Sequence, residues 1–552
     1  MSARPTTAGV ILDLLARAHV KVGFGIPGVH NLGFWNALAP GRPTIMNVRH
    51  EQTCVYAADG LARATGSLAV AFTTTGPGAA NTIGAFGEAA ISGSPVLVIS
   101  SEIPMKNRRD GFRGVLHEMV DQSSLFAPLA KKVELNGKKI TLSKSTTSAQ
   151  EAIDTVNQFI ALLSQAPHGC GYVGIPADIL NQEFSGSVPE SFSSTEEVLA
   201  KQASSFSEFI SQLKNELSEV KKVAIWAGGG ATGVSEKVAQ LSEHLAAPIF
   251  TSFAGRGVGI ASAHYLAAPV HEPEIAHALA DAELLLVFGS QLDGMNTKNW
   301  TLPFPARVFV VDADPEIATR NIEVSGALKT SDLSGVVNEL LQTPPRSPWL
   351  DAKSLATSVR QRLQSEAKSK AGIQLVSAIE SAWPTDGQIV CDMAVSGYWT
   401  GVYSDPRRVR RISYPVGWGT LGFALPASIG SAAINKPTLV VCGDGGIAFA
   451  IGELATIKQE NLPITILLHD DGGYGMLRFD QQVMNHPERG VDLFSPDWQT
   501  LAEAYGFAFS ETDLENVADV LAERAKSNAP GIVLIKEAIY PPRSTSPRWN
   551  EG

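Results

Sequence analysis

Short apolar runs alternate with helix-length segments along the chain, and this alternation leaves few folds open. The runs VKVGFGIPG, PTIMNVRH, SLAVAFTTTGPG and SPVLVIS are separated by amphipathic stretches such as EQTCVYAADGLARATG. Strand followed by helix followed by strand predicts a parallel sheet covered by helices. The pattern restarts twice, first with KKVAIWAGGGATG, AELLLVFGSQLDG and ARVFVVDADPEI, then with GQIVCDMAVSG, PTLVVCGDGG, LPITILLHDDGG and PGIVLIKEAIYPP. The Ser/Glu-rich stretch SGSVPESFSSTEEVLAKQASSFSE and the proline-rich TPPRSPW have linker composition and mark the breaks. The expected architecture is α/β, with three open parallel-sheet domains flanked by helices, over residues 1–188, 189–350 and 351–552. A chain of 552 residues is too long for one core, which agrees with three.

Composition narrows the class of partner. A net charge of -11, spread without blocks of like sign, argues against nucleic acid and against an anionic membrane surface. The N-terminal stretch MSARPTTAGVILDLLARAH reads as an amphipathic helix without a signal peptide's continuous apolar core, and no apolar run is long enough to span a bilayer. Cys54, Cys170, Cys391 and Cys442 are far apart and form no metal-binding spacing, so buried free thiols in a cytoplasmic protein are expected.

Gly228, Gly230 and Gly233 form a GxGxxG directly after a strand, the fingerprint of a dinucleotide site. The acidic residue that should close a second strand about 20 positions later is missing, since APIFTSFAGRG supplies none. A tight structural turn is therefore preferred, and FAD or a nicotinamide is weighed and not favoured.

The strand ends of the third block carry the chemistry. PTLVVC ends in Gly443, Asp444, Gly445 and Gly446, and PITILLH ends in Asp470, Asp471, Gly472 and Gly473. Were these strands neighbours, Asp444 and one of the Asp470/Asp471 pair would leave the sheet on the same rim, where ligands of open parallel sheets gather. Carboxylate and carbonyl oxygens without thiols suit Mg²⁺ completed by phosphate oxygens. Gly445 and Gly446 allow a phosphate close to the backbone, and a helix expected to begin near Ile447 would aim free N–H groups at it. The alternative for each glycine-rich end is an ordinary turn.

GDG, followed 27 residues later by an Asp and then GGYG, resembles the metal–diphosphate signature of thiamine-diphosphate enzymes. FGIPGVHN, VRHEQTCVYAADGLARATG, TTTGPGAAN, LHEMVDQSSLFAP and GWGTLGFALPASIGSA extend the likeness to the acetolactate synthase, pyruvate decarboxylase and benzaldehyde lyase group over essentially the full length. The resemblance implies pyrimidine-binding, central and diphosphate-binding domains. It also implies metal ligands Asp444, Asp471 and the Gly473 carbonyl, with Asp-Asp standing where many relatives have Asn-Asn. Thiamine diphosphate would be contacted by Pro27, Gly28, Gly419, Leu421, Gly443, Gly445, Gly446, Tyr474, Gly475 and Met476. Glu51 would activate it, the alternative being a first-turn carboxylate placed there by the helix dipole. His30, His117 and Glu118 are the candidate proton shuttles, the carboxyl on condition that its pKa is raised. Each site would combine two subunits of a homodimer or homotetramer.

Val29 and Leu477 stand where pyruvate decarboxylases typically carry acids, so simple acetaldehyde formation is disfavoured. The expected reaction is nonoxidative carbon–carbon cleavage, most simply decarboxylation of a small-molecule 2-oxo acid, with the fragment protonated or joined to a carbonyl acceptor. Acetolactate synthase-type carboligation is the alternative, and a non-catalytic dinucleotide- or cofactor-binding protein is the second.

Overall fold

The computed structural model describes residues 5–109, 111–135, 137–192 and 199–549. Three parallel sheets follow one another along the chain. In the first, the strands lie in the order Thr44–Asn47, Val22–Gly25, Ala69–Thr73, Val96–Glu102, Cys170–Pro176, Ser143–Ser145. An antiparallel pair, Lys132–Leu135 with Lys138–Thr141, is added beside it. The second runs Ile249–Thr251, Val223–Ala227, Leu284–Phe288, Arg307–Asp312, Gly326–Lys329. The third runs Ile412–Ser413, Gln388–Cys391, Thr438–Gly443, Ile464–His469, Gly531–Ile535, Ala508–Glu511. Their central strands are buried throughout and mostly apolar because both faces are covered by helices.

All strands of these three sheets are parallel, and the strand order switches direction across the first sheet between Val22–Gly25 and Ala69–Thr73, and across the third between Gln388–Cys391 and Thr438–Gly443. Such reversals open a crevice beyond the carboxyl ends of the strands. Gly28 and Gly76 follow the first pair of strands, and Asp392 and Asp444 follow the second.

The first and third domains meet through two helices of small residues. Glu51–Thr65 is started by His50, whose Nδ1 accepts from the Gln52 N–H, and ends at Gly66 with φ +76°. It crosses Ala424–Ala432 so closely that a Cβ on Gly60 would lie 1.9 Å from the Ala427 carbonyl oxygen. One on Gly430 would lie 1.7 Å from that of Ala57. The two domains consequently share one apolar core that includes Tyr56, Phe423 and Ile466, while the second and third share another around Trp226, Trp399 and Tyr414.

Two expectations need correction. The second half of the Ser/Glu-rich stretch is a helix, Leu199–Glu219, because Phe209, Ile210, Leu213 and Leu217 recur on one face and are buried against the second sheet. Residues 193–198 of that stretch lie outside the described residues. The helix expected near Ile447 begins at Asp444, makes one turn to Ile447, and gives way to an irregular segment kinked at Ala450. All four cysteines are free and buried. Among the described residues no helix is long and apolar enough to cross a membrane.

Candidate active site

The neighbouring strands Thr438–Gly443 and Ile464–His469 pair in parallel with Gly443 opposite His469, so Asp444 and Asp470 leave the sheet side by side. Their roles then diverge. Asp470 is held by other side chains: it accepts from Ser495 Oγ at 3.0 Å, Trp498 Nε1 at 2.8 Å and the Gly472 N–H at 3.1 Å. Asp444 is 4% exposed, and its Oδ1 is buried without a partner. Burial first, then the charges of Asp471 and Asp470, push the Asp444 carboxyl up to about 6. Burial also raises Asp471, against the opposing pull of His469 and Arg478. Two crowded acids with an orphaned oxygen give a site whose chemistry fits a cation.

The glycines around these acids are required by close approach. Gly473 has φ +142°, and a Cβ there would meet the Val491 carbonyl oxygen at 2.0 Å. Its own carbonyl oxygen would be 3.3 Å from a Cβ on Gly445, where the Tyr474 ring also packs. A Cβ on Gly475 would strike the Asp471 carboxylate at 1.8 Å, and one on Gly446 would lie 3.2 Å from that of Asp392. The structure thus gathers Gly445, Gly446, Gly473, Tyr474 and Gly475 around two carboxylates, with Gly443 ending the strand beneath and Met476 in the first turn of the helix Gly475–Val483. The donor set is oxygen only, which fits Mg²⁺ and a diphosphate.

Gly419 and Leu421 sit on the segment joining Ile412–Ser413 to Ala424–Ala432, Gly419 exposed with φ +68° and Leu421 half-buried. Asp392 holds the far end of this segment, accepting from the Gly422 N–H at 2.9 Å and the Ala424 N–H at 3.1 Å.

On the first sheet, Glu51 opens its helix and accepts from Asn81 Nδ2 at 3.1 Å, so the TTGPGAAN loop reaches it directly. A Cβ on Gly78 would be 3.6 Å from Glu51 Oε1. Just before Glu51, the N–H groups of Arg49 and His50 both donate to Glu453 of the third domain, at 3.0 and 3.1 Å. Pro27 and Gly28 form a turn closed by Asn31, whose Oδ1 accepts from the Gly28 N–H at 2.6 Å. That turn delivers His30, whose ring centroid lies 5.7 Å from that of His117, edge to face. Both Nδ1 atoms are buried without a partner. Burial, then the neighbouring His117, lowers the pKa of His30. His117 has φ +66°, and its carbonyl packs so tightly on Gly76 that a Cβ there would be 2.9 Å from it.

Glu118 does not have the raised pKa that a carboxyl donor requires. It accepts from the Arg113 and Val115 N–H groups at 2.9 and 3.0 Å, and these bonds lower its pKa and commit it to shaping its own loop. Two glycines of the GxGxxG in the second domain are needed for close packing, while a Cβ on Gly233 would meet nothing within 4 Å. A Cβ on Gly228 would sit 2.1 Å from the Gly289 carbonyl oxygen, and one on Gly230 would be 2.9 Å from Gly289 Cα.

Asn81, Asp392, Glu453, Ser495 and Trp498 were not singled out from sequence. Asn81 and Asp392 lie in quoted stretches, and Asp392, Glu453, Ser495 and Trp498 act on elements remote in the chain.

Three family models match in sequence order: the thiamine pyrophosphate enzyme N-terminal TPP binding domain at residues 5–125, the central domain at 210–340, and the C-terminal TPP binding domain at 392–536. The probable 2-ketoarginine decarboxylase AruI of Pseudomonas aeruginosa is 31% identical, with 96% of this chain and 93% of that protein covered. The acetolactate synthase large subunit of Lactococcus lactis is 26% identical over 92% of this chain and 89% of its own length. A probable acetolactate synthase large subunit of Methanocaldococcus jannaschii is 25% identical, with 95% and 90% covered. With its glycine-lined carboxylates at one switch point and Glu51 near the other, the chain belongs to the thiamine-pyrophosphate-dependent enzymes, within the decarboxylase and acetolactate synthase group.

Proposed function

We propose that the enzyme decarboxylates a 2-oxo acid and returns a proton to the product carbon, with Mg²⁺ as the resident metal. The observation that carries this reading is the facing pair His30 and His117, two half-buried imidazoles whose Nδ1 atoms are buried and unpartnered. Such groups can hold a substrate carboxylate and then supply a proton. Asp444, Asp471 and the Gly473 carbonyl would hold Mg²⁺, and Gly445 and Gly446 would admit the diphosphate. Bound thiamine diphosphate supplies the nucleophilic carbon and the electron sink. Glu51, oriented by Asn81, would hold the proton shared with the cofactor's pyrimidine ring, and the Gly419 carbonyl and Leu421 side chain would keep the two rings in their working arrangement.

A cleft of about 340 Å³ opens beside the His117 loop, lined by Thr75, Arg108, Val120 and Gln122 among others. Arg108 pairs with Glu102, and Gln122 accepts from the Gly76 N–H at 2.7 Å, so the cleft wall is braced against the glycine loop next to His117. We assign the substrate side to this cleft.

Carboligation of acetolactate synthase type is the second reading, favoured by Met476 and by Leu477, which is 51% exposed at the metal rim. A screen of 2-oxo acids with thiamine diphosphate and Mg²⁺, with and without acceptor aldehydes, separates the two. Decarboxylation gives CO₂ and an aldehyde without an acceptor; CO₂ release only when an acceptor is present would overturn it in favour of carboligation.

A homodimer or homotetramer with shared sites is part of the proposal, supported by large apolar side chains left bare around both half-sites. Val29 is 84% exposed and Val120 80% on the first domain, and Phe449 is 57% and Phe494 93% on the third. Light scattering should give a dimer or larger, and a monomer with full turnover would refute shared sites. The four buried free thiols support a cytoplasmic setting.

A further inference from the structure

Glu88 lies in the helix Ile83–Ile91 of the first domain and is fully buried, yet most of its bonds reach into the third. One carboxylate oxygen accepts from the Gly417 N–H at 3.1 Å; the other accepts from the Trp418 N–H at 2.8 Å and Thr420 Oγ1 at 2.8 Å. On its own side it meets Arg63 Nη2 at 2.9 Å and Ser92 Oγ at 3.0 Å.

Neutralising Arg63 does not require Glu88. Asp59 already takes that guanidinium with two bonds of 2.8 Å, to Nε and Nη2. The cluster therefore buries two carboxylates against one cation. An extra buried charge is a poor source of stability, so its presence needs another reason. Its bonds supply one: they converge on the segment that carries Gly419 and Leu421.

Glu88 holds Gly417, Trp418 and Thr420 from one side, and Asp392 holds Gly422 and Ala424 from the other. Between these anchors lie Gly419 and Leu421. Small residues permit the approach, since a Cβ on Gly87 would lie 2.2 Å from the Trp418 ring and one on Gly417 2.5 Å from Ser92 Oγ. Burial alone would raise the Glu88 carboxyl, but Arg63 and the Trp418 N–H bring it below its ordinary value, so it holds the segment as an anion.

We propose that Glu88 is a positioning residue that sets, across the domain boundary, the Gly419 carbonyl and the Leu421 side chain against the cofactor. The inference rests on the assignment of Gly419 and Leu421 to thiamine diphosphate. In a Glu88→Gln variant, an amide N–H₂ must face a backbone N–H or Arg63, and the segment loses one acceptor. In Thr420→Val, only the hydroxyl's bonds to Glu88 and to the Tyr56 side chain are lost, and the buried charges are unchanged.

The test compares turnover, cofactor affinity, melting temperature and the near-ultraviolet circular dichroism of bound thiamine diphosphate in wild type and both variants, with Mg²⁺ present. Thr420→Val should melt like wild type yet show an altered dichroism of the bound cofactor and several-fold lower turnover. Glu88→Gln should show the same changes more strongly, with turnover down at least about tenfold. An unchanged dichroism and turnover in Thr420→Val overturns the proposal, whether or not Glu88→Gln folds. A wild-type protein with no cofactor signal overturns the cofactor assignment itself, and this proposal with it.

Discussion

Glu51→Gln is expected to remove nearly all turnover while leaving thiamine diphosphate and Mg²⁺ bound. The substitution is isosteric, and the remaining carbonyl oxygen can still accept from Asn81 Nδ2, which lies 3.1 Å from Glu51 Oε2. The backbone beneath the side chain is held independently, because the Arg49 and His50 N–H groups are bound by the buried carboxylate of Glu453. Only the ability to hold and release a proton is lost. Positioned acid–base groups contribute about 10²–10⁴-fold, and a fall of that size in CO₂ release is expected. Calorimetry should show cofactor affinity within a few-fold of wild type. Near-normal turnover would remove Glu51 from cofactor activation; a collapse in affinity would make it a binding residue.

The alternation of apolar runs and helical segments was readable because a parallel sheet demands it, and the nearness of Asp444 to the Asp470/Asp471 pair was readable because both follow neighbouring strands. Strand-end chemistry alone could not separate Asp470 from Asp471, and only the family resemblance pointed to Asp471. Ser495 and Trp498, more than twenty residues away, occupy the Asp470 carboxylate and do not bond Asp471. Glu88, Asp392 and Glu453 were equally invisible, since each is a single acid inside an apolar segment whose partners are backbone N–H groups on distant elements. Glu118 fails as a donor for a local reason: backbone N–H groups of its own turn stabilise its charged form. Periodicity and strand-end chemistry are local properties, and the pairing of one buried carboxylate with a remote loop is not.

Asp444→Asn should push stability and function in opposite directions. In the cofactor-free protein this carboxylate is buried beside Asp471 and Asp470 with Oδ1 unpartnered, so removing its charge should raise the melting temperature near neutral pH. The pH dependence follows from the same geometry. Burial and the neighbouring acids raise the native carboxyl from 3.8 to about 6, so between those values the native state holds more proton than the unfolded chain. Cofactor-free wild type should therefore lose stability as pH rises through that window, and Asp444→Asn should lack this component. With Mg²⁺ and thiamine diphosphate the order should invert, because the anionic oxygen that destabilises the free protein is the one proposed to bind the metal. Loss of groups merely supporting a metal ligand costs about 10–100-fold in affinity, and loss of the ligand's charge should cost at least that. Melting curves of both proteins against pH, with and without metal and cofactor, contain all of these comparisons. A variant that melts lower than wild type when free, yet binds cofactor as tightly, would show that Asp444 serves the fold and that the cation is held elsewhere.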